Sequence, residues 1–209
     1  MISLDNYIIR RELPSDYAEA ENLTREAFWN VYRPGCLEHY VLHCFRDKPE
    51  FVPELDLVME QDGRLIGHIM YVRAEIELTE GGVLPIMTFG PISITPELKR
   101  KGYGKRLLDY SMNLAADMGA GALCMEGNIN FYGKSGFVLA GTKGIRYHAE
   151  PDKLIVPYFL LKELTPNYLD GRTGVYHTPK GYYVDERAAE EFDRHFPNKV
   201  KLRLPGQLV

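Results

Sequence analysis

The sequence is poor in cysteine: only Cys36, Cys44 and Cys124 occur, with no C-x-x-C pair among them. An odd, scattered set excludes a disulfide framework, so free thiols in a reducing compartment are expected. No apolar run approaches the roughly eighteen residues of a membrane span, and the opening MISLDNYIIRREL lacks the apolar centre of a leader. Neither export nor membrane insertion is expected, which leaves the cytoplasm. Excess basic charge is also missing, since 25 Lys and Arg face 29 Asp and Glu for a net charge of −4. A surface built throughout for nucleic acid or anionic lipid is therefore excluded. There is no G-x-x-x-x-G-K-[ST] loop and no triple-glycine dinucleotide fingerprint. Internal repeats and low-complexity stretches are absent as well.

What remains is a 209-residue chain, 45% hydrophobic, with enough apolar material for a core without covalent staples. Asn6 to Leu13 reads as a strand, and Pro14-Ser15-Asp16 opens a helix whose apolar face runs through Tyr17, Ala20, Leu23, Ala27 and Phe28. A second helix is expected over Cys36 to Arg46, ending before Pro49. Asp62-Gly63 supplies the positive φ values of a tight hairpin turn between Leu55–Glu60 and Arg64–Leu78. A third antiparallel strand, Val83 to Ile94, is interrupted at Gly90-Pro91, where a bulge or splay is expected. A helix over Gly102–Met118, a short buried strand at Ala122–Met125, and a brief helix from Asn128 to a left-handed stop at Gly136 follow. Strands flank Thr142-Lys143-Gly144. Beyond Glu150 the pattern loosens into a strand at Tyr158–Leu164, a helix over Glu186–Phe196 and an alternating tail, Lys199–Leu204. The order predicts a mixed α/β (α+β) fold, with residues 1–150 as the principal domain and 151–209 as an extension packed on it.

The segment GPISITPELKRKGYGKR, residues 90–106, carries the clearest chemistry. A strand feeds Lys99-x-x-Gly102-x-Gly104 into a helix start, where first-turn amides lack intrahelical partners and the helix dipole is positive. Glycines at 102 and 104 let an anion approach the backbone, and Lys99, Arg100, Lys101 and Lys105 add positive charge. Phosphate fits such a loop; so does a solvated basic turn.

This segment resembles the signature of the GCN5-related N-acetyltransferase (GNAT) superfamily, a Gln/Arg-x-x-Gly-x-Gly/Ala loop after a strand and proline. A second element of that family, an aromatic-Tyr helix ending in Gly-Phe, is matched by Asn128-Ile129-Asn130-Phe131-Tyr132-Gly133-Lys134-Ser135-Gly136-Phe137. The resemblance covers about residues 6–148, and Gly90-Pro91 with the Tyr-Gly-x-x-Gly-Phe form is similar to the YhbS-like subgroup. It implies a mostly antiparallel central sheet with splayed fourth and fifth strands, and direct acetyl transfer from acetyl-CoA to a primary amine in a ternary complex. The acetyl-CoA residues it implies are Ile92, Ser93 and Ile94 along the pantetheine, and Lys99, Arg100, Lys101, Gly102, Tyr103, Gly104 and Lys105 around the pyrophosphate. Lys99 departs from the usual Gln or Arg, so a point-charge contact replaces a bidentate one. Tyr132 matches the tyrosine that protonates the departing thiolate. Asn128 caps the short helix, or binds the cosubstrate besides.

The family has no fixed general base, and position favours Glu126 at the end of the fifth strand. Trp29, Tyr32, Arg33 and His39 are candidates for a substrate rim, or for packing. Cys36, His39 and His43 share a helix face but lack a fourth ligand, so no metal is expected. Cys124, inside an apolar strand, is a poor nucleophile. The acceptor, a small-molecule or peptide amine, is not legible. The extension could close the pocket, add a strand or build a homodimer interface. A non-catalytic CoA-binding protein with the same fold is the alternative reading.

Overall fold

The computed structural model describes residues 6–208. The first five residues, where the principal domain and the opening segment were expected to begin, lie outside the described residues. Contacts divide the described chain into two compact units, one of residues up to 70, 91–107 and from 180 on, the other of residues 71–90 and 108–179.

In the first unit, β1 (Ile8–Arg11) and α1 (Tyr17–Phe28) form where strand alternation gave way to helical spacing. Pro14–Asp16 makes a 3-10 turn between them. The Asp62-Gly63 turn adopts φ of 51° and 72°, as a primed hairpin turn needs, and joins β2 (Leu57–Gln61) to β3 (Arg64–Leu78). β1 and β3 both pair antiparallel with β2. The second helix, α2 (Glu38–Phe45), starts two residues later than expected because Pro34-Gly35 holds an irregular loop, with Gly35 at φ 77°. Its Leu42 and Phe45 are fully buried with Val52, Leu55, Val58 and Met59. α5 (Glu186–Asp193) is capped by the Asp185 carboxylate, which accepts from the Ala188 amide. The alternating tail is not a strand. Asn30 Nδ2 and Trp29 Nε1 both donate to Val200 O, and Leu202 N donates to Asn30 Oδ1, so side chains take the backbone groups a ladder would use.

In the second unit the remaining half of β3 lies beside β4 (Val83–Ile94), followed by β5 (Ala122–Glu126), β8 (Phe159–Glu163) and β6 (Val138–Leu139). β9 (Gly174–Tyr176) adds to β3, and β7 (Ile145–Tyr147) pairs with β9. Most pairs are antiparallel; β4 with β5 and β7 with β9 are parallel. β4 runs on through Gly90, whose φ of 132° takes up the irregularity expected there. A short helix, α4 (Ile129–Tyr132), follows β5, and α3 (Tyr103–Asp117) precedes it. Inward-facing Ile76, Leu84, Ile86, Cys124, Phe159 and Leu161 anchor the core of this unit. The fold is the mixed α/β arrangement with a mostly antiparallel sheet that the sequence predicts. Among the described residues no helix is long and apolar enough to cross a membrane.

Candidate functional site

The basic loop of the first unit begins where Thr95 N, just past the end of β4, donates to Ile66 O of β3. Strand backbone groups alternate in direction, so those of Ile92 and Ile94 point away from β3. Pro96–Leu98 forms a 3-10 turn. Arg100 then takes φ 61° and Gly102 φ 91°, two left-handed residues that bend the chain directly into α3. Arg106 N donates to Gly102 O, closing the first helical turn, and helix geometry leaves the amides of Tyr103 and Gly104 without intrahelical acceptors. Arg100, Lys101 and Gly102 are exposed. Tyr103 is buried, edge-on to Tyr7 at 5.9 Å. Lys99 turns toward α1, where its Nζ donates to Ala27 O at 2.5 Å, and partial burial lowers its pKa. A cation at the last turn of a helix is well placed against the dipole. Ser93 is buried, its hydroxyl donating to Thr24 Oγ1 at 3.0 Å.

The expected rim residues gather against α5 and the tail. Arg33 forms a two-pronged pair with Glu186 at 2.9 and 2.7 Å, and the Trp29 ring lies 4.3 Å below the Arg25 guanidinium. Trp29, Arg33 and Cys36 line a small pocket with Glu186, Asp193 and Lys201. His39 is fully buried between Phe192 and Phe196, with Nε2 3.2 Å from Asp193 Oδ1 and Nδ1 3.3 Å from Cys36 Sγ. Burial lowers its pKa to about 4, which keeps it neutral. Tyr32 keeps an exposed ring against Phe28, while its carbonyl accepts from Leu208 N in the tail. Of the helix-face triplet, Cys36 and His39 meet, while His43 pairs with Glu21 at 2.9 Å.

In the second unit, β5 delivers Glu126, Gly127 and Asn128 in succession. The Asn128 side chain accepts from Asn130 N at 2.9 Å and caps α4, and Gly136 ends the following turn at φ 87°. Tyr132 is half-buried among Phe89, Phe131 and Phe137, with ring centroids 5.9, 4.8 and 5.8 Å away. Its ring covers Gly127, where a Cβ would lie 2.4 Å from Tyr132 Cε2. Glu126 is exposed, and its Oε1 accepts from Tyr147 Oη at 2.6 Å and Thr178 Oγ1 at 3.2 Å. Cys124 is fully buried, and desolvation pushes its thiol up, away from the reactive thiolate.

Two groupings escaped sequence reasoning. One is the Tyr147–Thr178 pair on Glu126, which comes from β7 and from the loop after β9. The other is a buried cluster in the first unit: ligand atoms of Glu12, Asp56 and His68 lie within 4.8 Å of one another. Arg46 Nη2 and Nε donate to the two Glu12 oxygens at 3.0 and 3.1 Å, so both are already engaged.

Residues 17–137 match the family model described as acetyltransferase (GNAT) family. A relative from Escherichia coli strain K12, the uncharacterized N-acetyltransferase YjhQ, is 30% identical over 94 residues, which are 44% of this chain and 51% of that protein. The match thus spans about half of that relative's length. Among solved structures, the GNAT family N-acetyltransferase YhbS from Escherichia coli, in complex with CoA, aligns over 85% of this chain and 92% of its own, with TM-score 0.72 and 21% identity. A GNAT family acetyltransferase from Brucella melitensis in complex with acetyl-CoA covers 85% and 99%, with TM-score 0.67 and 23% identity. At these identities the two structures establish the shared fold.

Proposed function

The chain belongs to the acetyltransferase (GNAT) family, and from that premise we propose that it moves an acetyl group directly from acetyl-CoA to a primary amine within a ternary complex. The carrying observation is the loop: left-handed Arg100 and Gly102 lead straight into the amino end of a fifteen-residue helix. Backbone amides at such an end favour pyrophosphate oxygens, with Arg100, Lys101 and Lys105 supplying charge. Lys99 contributes a point charge, shared with Ala27 O. Ile92 and Ile94 offer outward backbone groups to the pantetheine amides, while the bonded Ser93 hydroxyl holds the strand on α1. The complexes of YhbS with CoA and of the Brucella protein with acetyl-CoA support the choice of cosubstrate.

Tyr132 is the proton donor in this reading. Its aromatic setting fixes the phenol, and the proton goes to the sulfur as the C–S bond breaks. Glu126 takes the proton that the incoming ammonium must lose. Asn128 holds α4 and thereby Tyr132. Trp29, Arg33 and His39 are tied into packing and ion pairs, so their contribution is to shape the first unit, and exposed Tyr32 stays the rim candidate. Residues 1–150 carry the transferase motifs and 151–209 extend the same domain; β8, seated between β5 and β6, supports that arrangement. The free thiols fit a cytoplasmic setting.

Thiol release and product mass from acetyl-CoA with a panel of diamines, amino acids, aminoglycosides and peptides test this reading. Turnover with at least one amine is expected, and Tyr132→Phe should lower kcat by roughly 100-fold. CoA bound and retained, with no thiol released in any mixture, would instead make the chain a CoA-binding protein without turnover.

A further inference from the structure

Glu126 is the last residue of β5 and is exposed, where a glutamate ordinarily samples several rotamers. Fixing such a side chain costs rotamer entropy. Here both neighbouring hydroxyls, Tyr147 Oη at 2.6 Å and Thr178 Oγ1 at 3.2 Å, donate to the same oxygen, Oε1. The hydroxyls lie 3.2 Å from each other, which closes a triangle around that atom. Each has one proton, and both are spent on Oε1.

The scaffold behind this triangle is stiff. The Tyr147 ring stacks on Phe159 at 5.0 Å and 26°, and Phe159 stacks on Tyr176 at 5.3 Å and 21°. Phe159 and Tyr176 are 1% and 2% exposed, so the stack belongs to the core of the second unit. Phe159 is also the direct register partner of Glu126 across β5 and β8. The phenol that holds the carboxylate and the strand that carries it are thus locked to one another. By contrast, among the described residues no hydrogen bond reaches Oε2 and no cation pairs with Glu126. A structural carboxylate usually meets a cation or a full set of donors. One fixed oxygen and one open oxygen describe a charge set for an incoming cation.

We propose that Tyr147 and Thr178 are positioning residues, which fix Glu126 through Oε1 so that Oε2 receives a proton from the acceptor's ammonium group. The proposal rests on the reading of Glu126 as the general base. In the balanced reaction the ammonium gives one proton to Oε2, and the freed lone pair forms the C–N bond. The C–S bond breaks, and sulfur takes the Tyr132 proton. The second amine proton restores the phenol through solvent. Glu126 then yields its proton to water, so one proton is released per acetyl transferred.

The test uses full-length protein labelled with ¹³C at glutamate side-chain carboxyl carbons. The Glu126 signal is identified by its loss in Glu126→Gln. Because each hydroxyl is bonded to Oε1, Tyr147→Phe and Thr178→Val should each move the chemical shift of that signal, measured at one fixed pH. Thr178→Ser, which keeps the hydroxyl, should leave it in place. An unchanged shift in both Tyr147→Phe and Thr178→Val, with melting temperatures near the parent's, overturns the proposal. Turnover of Glu126→Gln in the acetyl-CoA and amine panel is read separately. If that variant keeps parental kcat, the base reading fails even where the carbon signals behave as expected, so the two failures are told apart.

Discussion

Glycine at position 127 decides where the Tyr132 ring lies. A Cβ there would sit 2.4 Å from Cε2 and 2.8 Å from Cδ2 of Tyr132, closer than carbon atoms pack, so an alanine must push the ring off its seat. Gly127→Ala is expected to lower kcat by about tenfold or more while the melting temperature falls by only a few degrees, since the displaced ring is half-buried and misplacing the proposed acid is costly. Full turnover in that variant would show that the seat does not matter. Asn128 as a helix cap followed from its residue type. Other side chains at the site were not readable, because their partners are remote in sequence. Lys99 reaches an oxygen 72 residues away, and Glu126 is held from 21 and 52 residues away. A sequence pattern reports spacing within a turn or a strand, and these bonds depend on how strands are ordered.

The loop and helix at residues 99–117 behave as one element. Gly102 has φ 91°, and a Cβ added to it meets nothing within 4 Å, so the constraint is conformational rather than crowding. A left-handed backbone costs an L-residue about 1–2 kcal/mol. Gly102→Ala should therefore weaken CoA binding about tenfold by calorimetry, because the loop relaxes and its amides turn away from the anion. Affinity equal to the parent's would remove the loop from the pyrophosphate site. The basic loop was legible because glycines and a helix start are local signals, as was the Asp62-Gly63 hairpin. β9 was not: three residues are too few to show alternation, and its partner on β3 is Ile76–Leu78, far back in the chain. The Lys199–Leu204 tail misled in the opposite sense. Val200, Leu202 and Leu204 alternate and are all exposed, but Trp29 and Asn30 hold the backbone of Val200 and Leu202, and Gln207 that of Leu204, in place of a neighbouring strand.

At the scale of the whole molecule, stability carries a pH dependence that no local pattern announces, since its groups come from β1's end, α2's end, the turn before β2, and β3. Burial, and then the hydrogen bond with Asp56, push Glu12 up to about 8, and burial lowers His68 to about 4. Desolvation raises Asp56 as well. Near pH 6 the cluster thus holds a protonated Glu12 bonded to Asp56 and a neutral His68, whose Nε2 lies 2.8 Å from Asp56 Oδ1. In the unfolded chain Glu12 returns to the ordinary carboxylate range near 4.5, so from there to about pH 8 the folded state binds the extra proton and stability falls as pH rises. His68 acts in the other direction: its unfolded value is 6.5, so stability falls as pH drops from there toward 4. The two slopes offset each other between pH 4.5 and 6.5 and only the Glu12 slope remains above that, so the optimum lies at mildly acidic pH. Glu12→Gln keeps an oxygen for Arg46 and cannot ionise, so it isolates the alkaline slope. Between pH 6 and 8.5 the parent should lose several degrees of melting temperature more than Glu12→Gln does, followed by circular dichroism. Equal losses in the two proteins would mean that Glu12 is already ionised in the fold at pH 6, with Arg46 outweighing the burial of a second carboxylate.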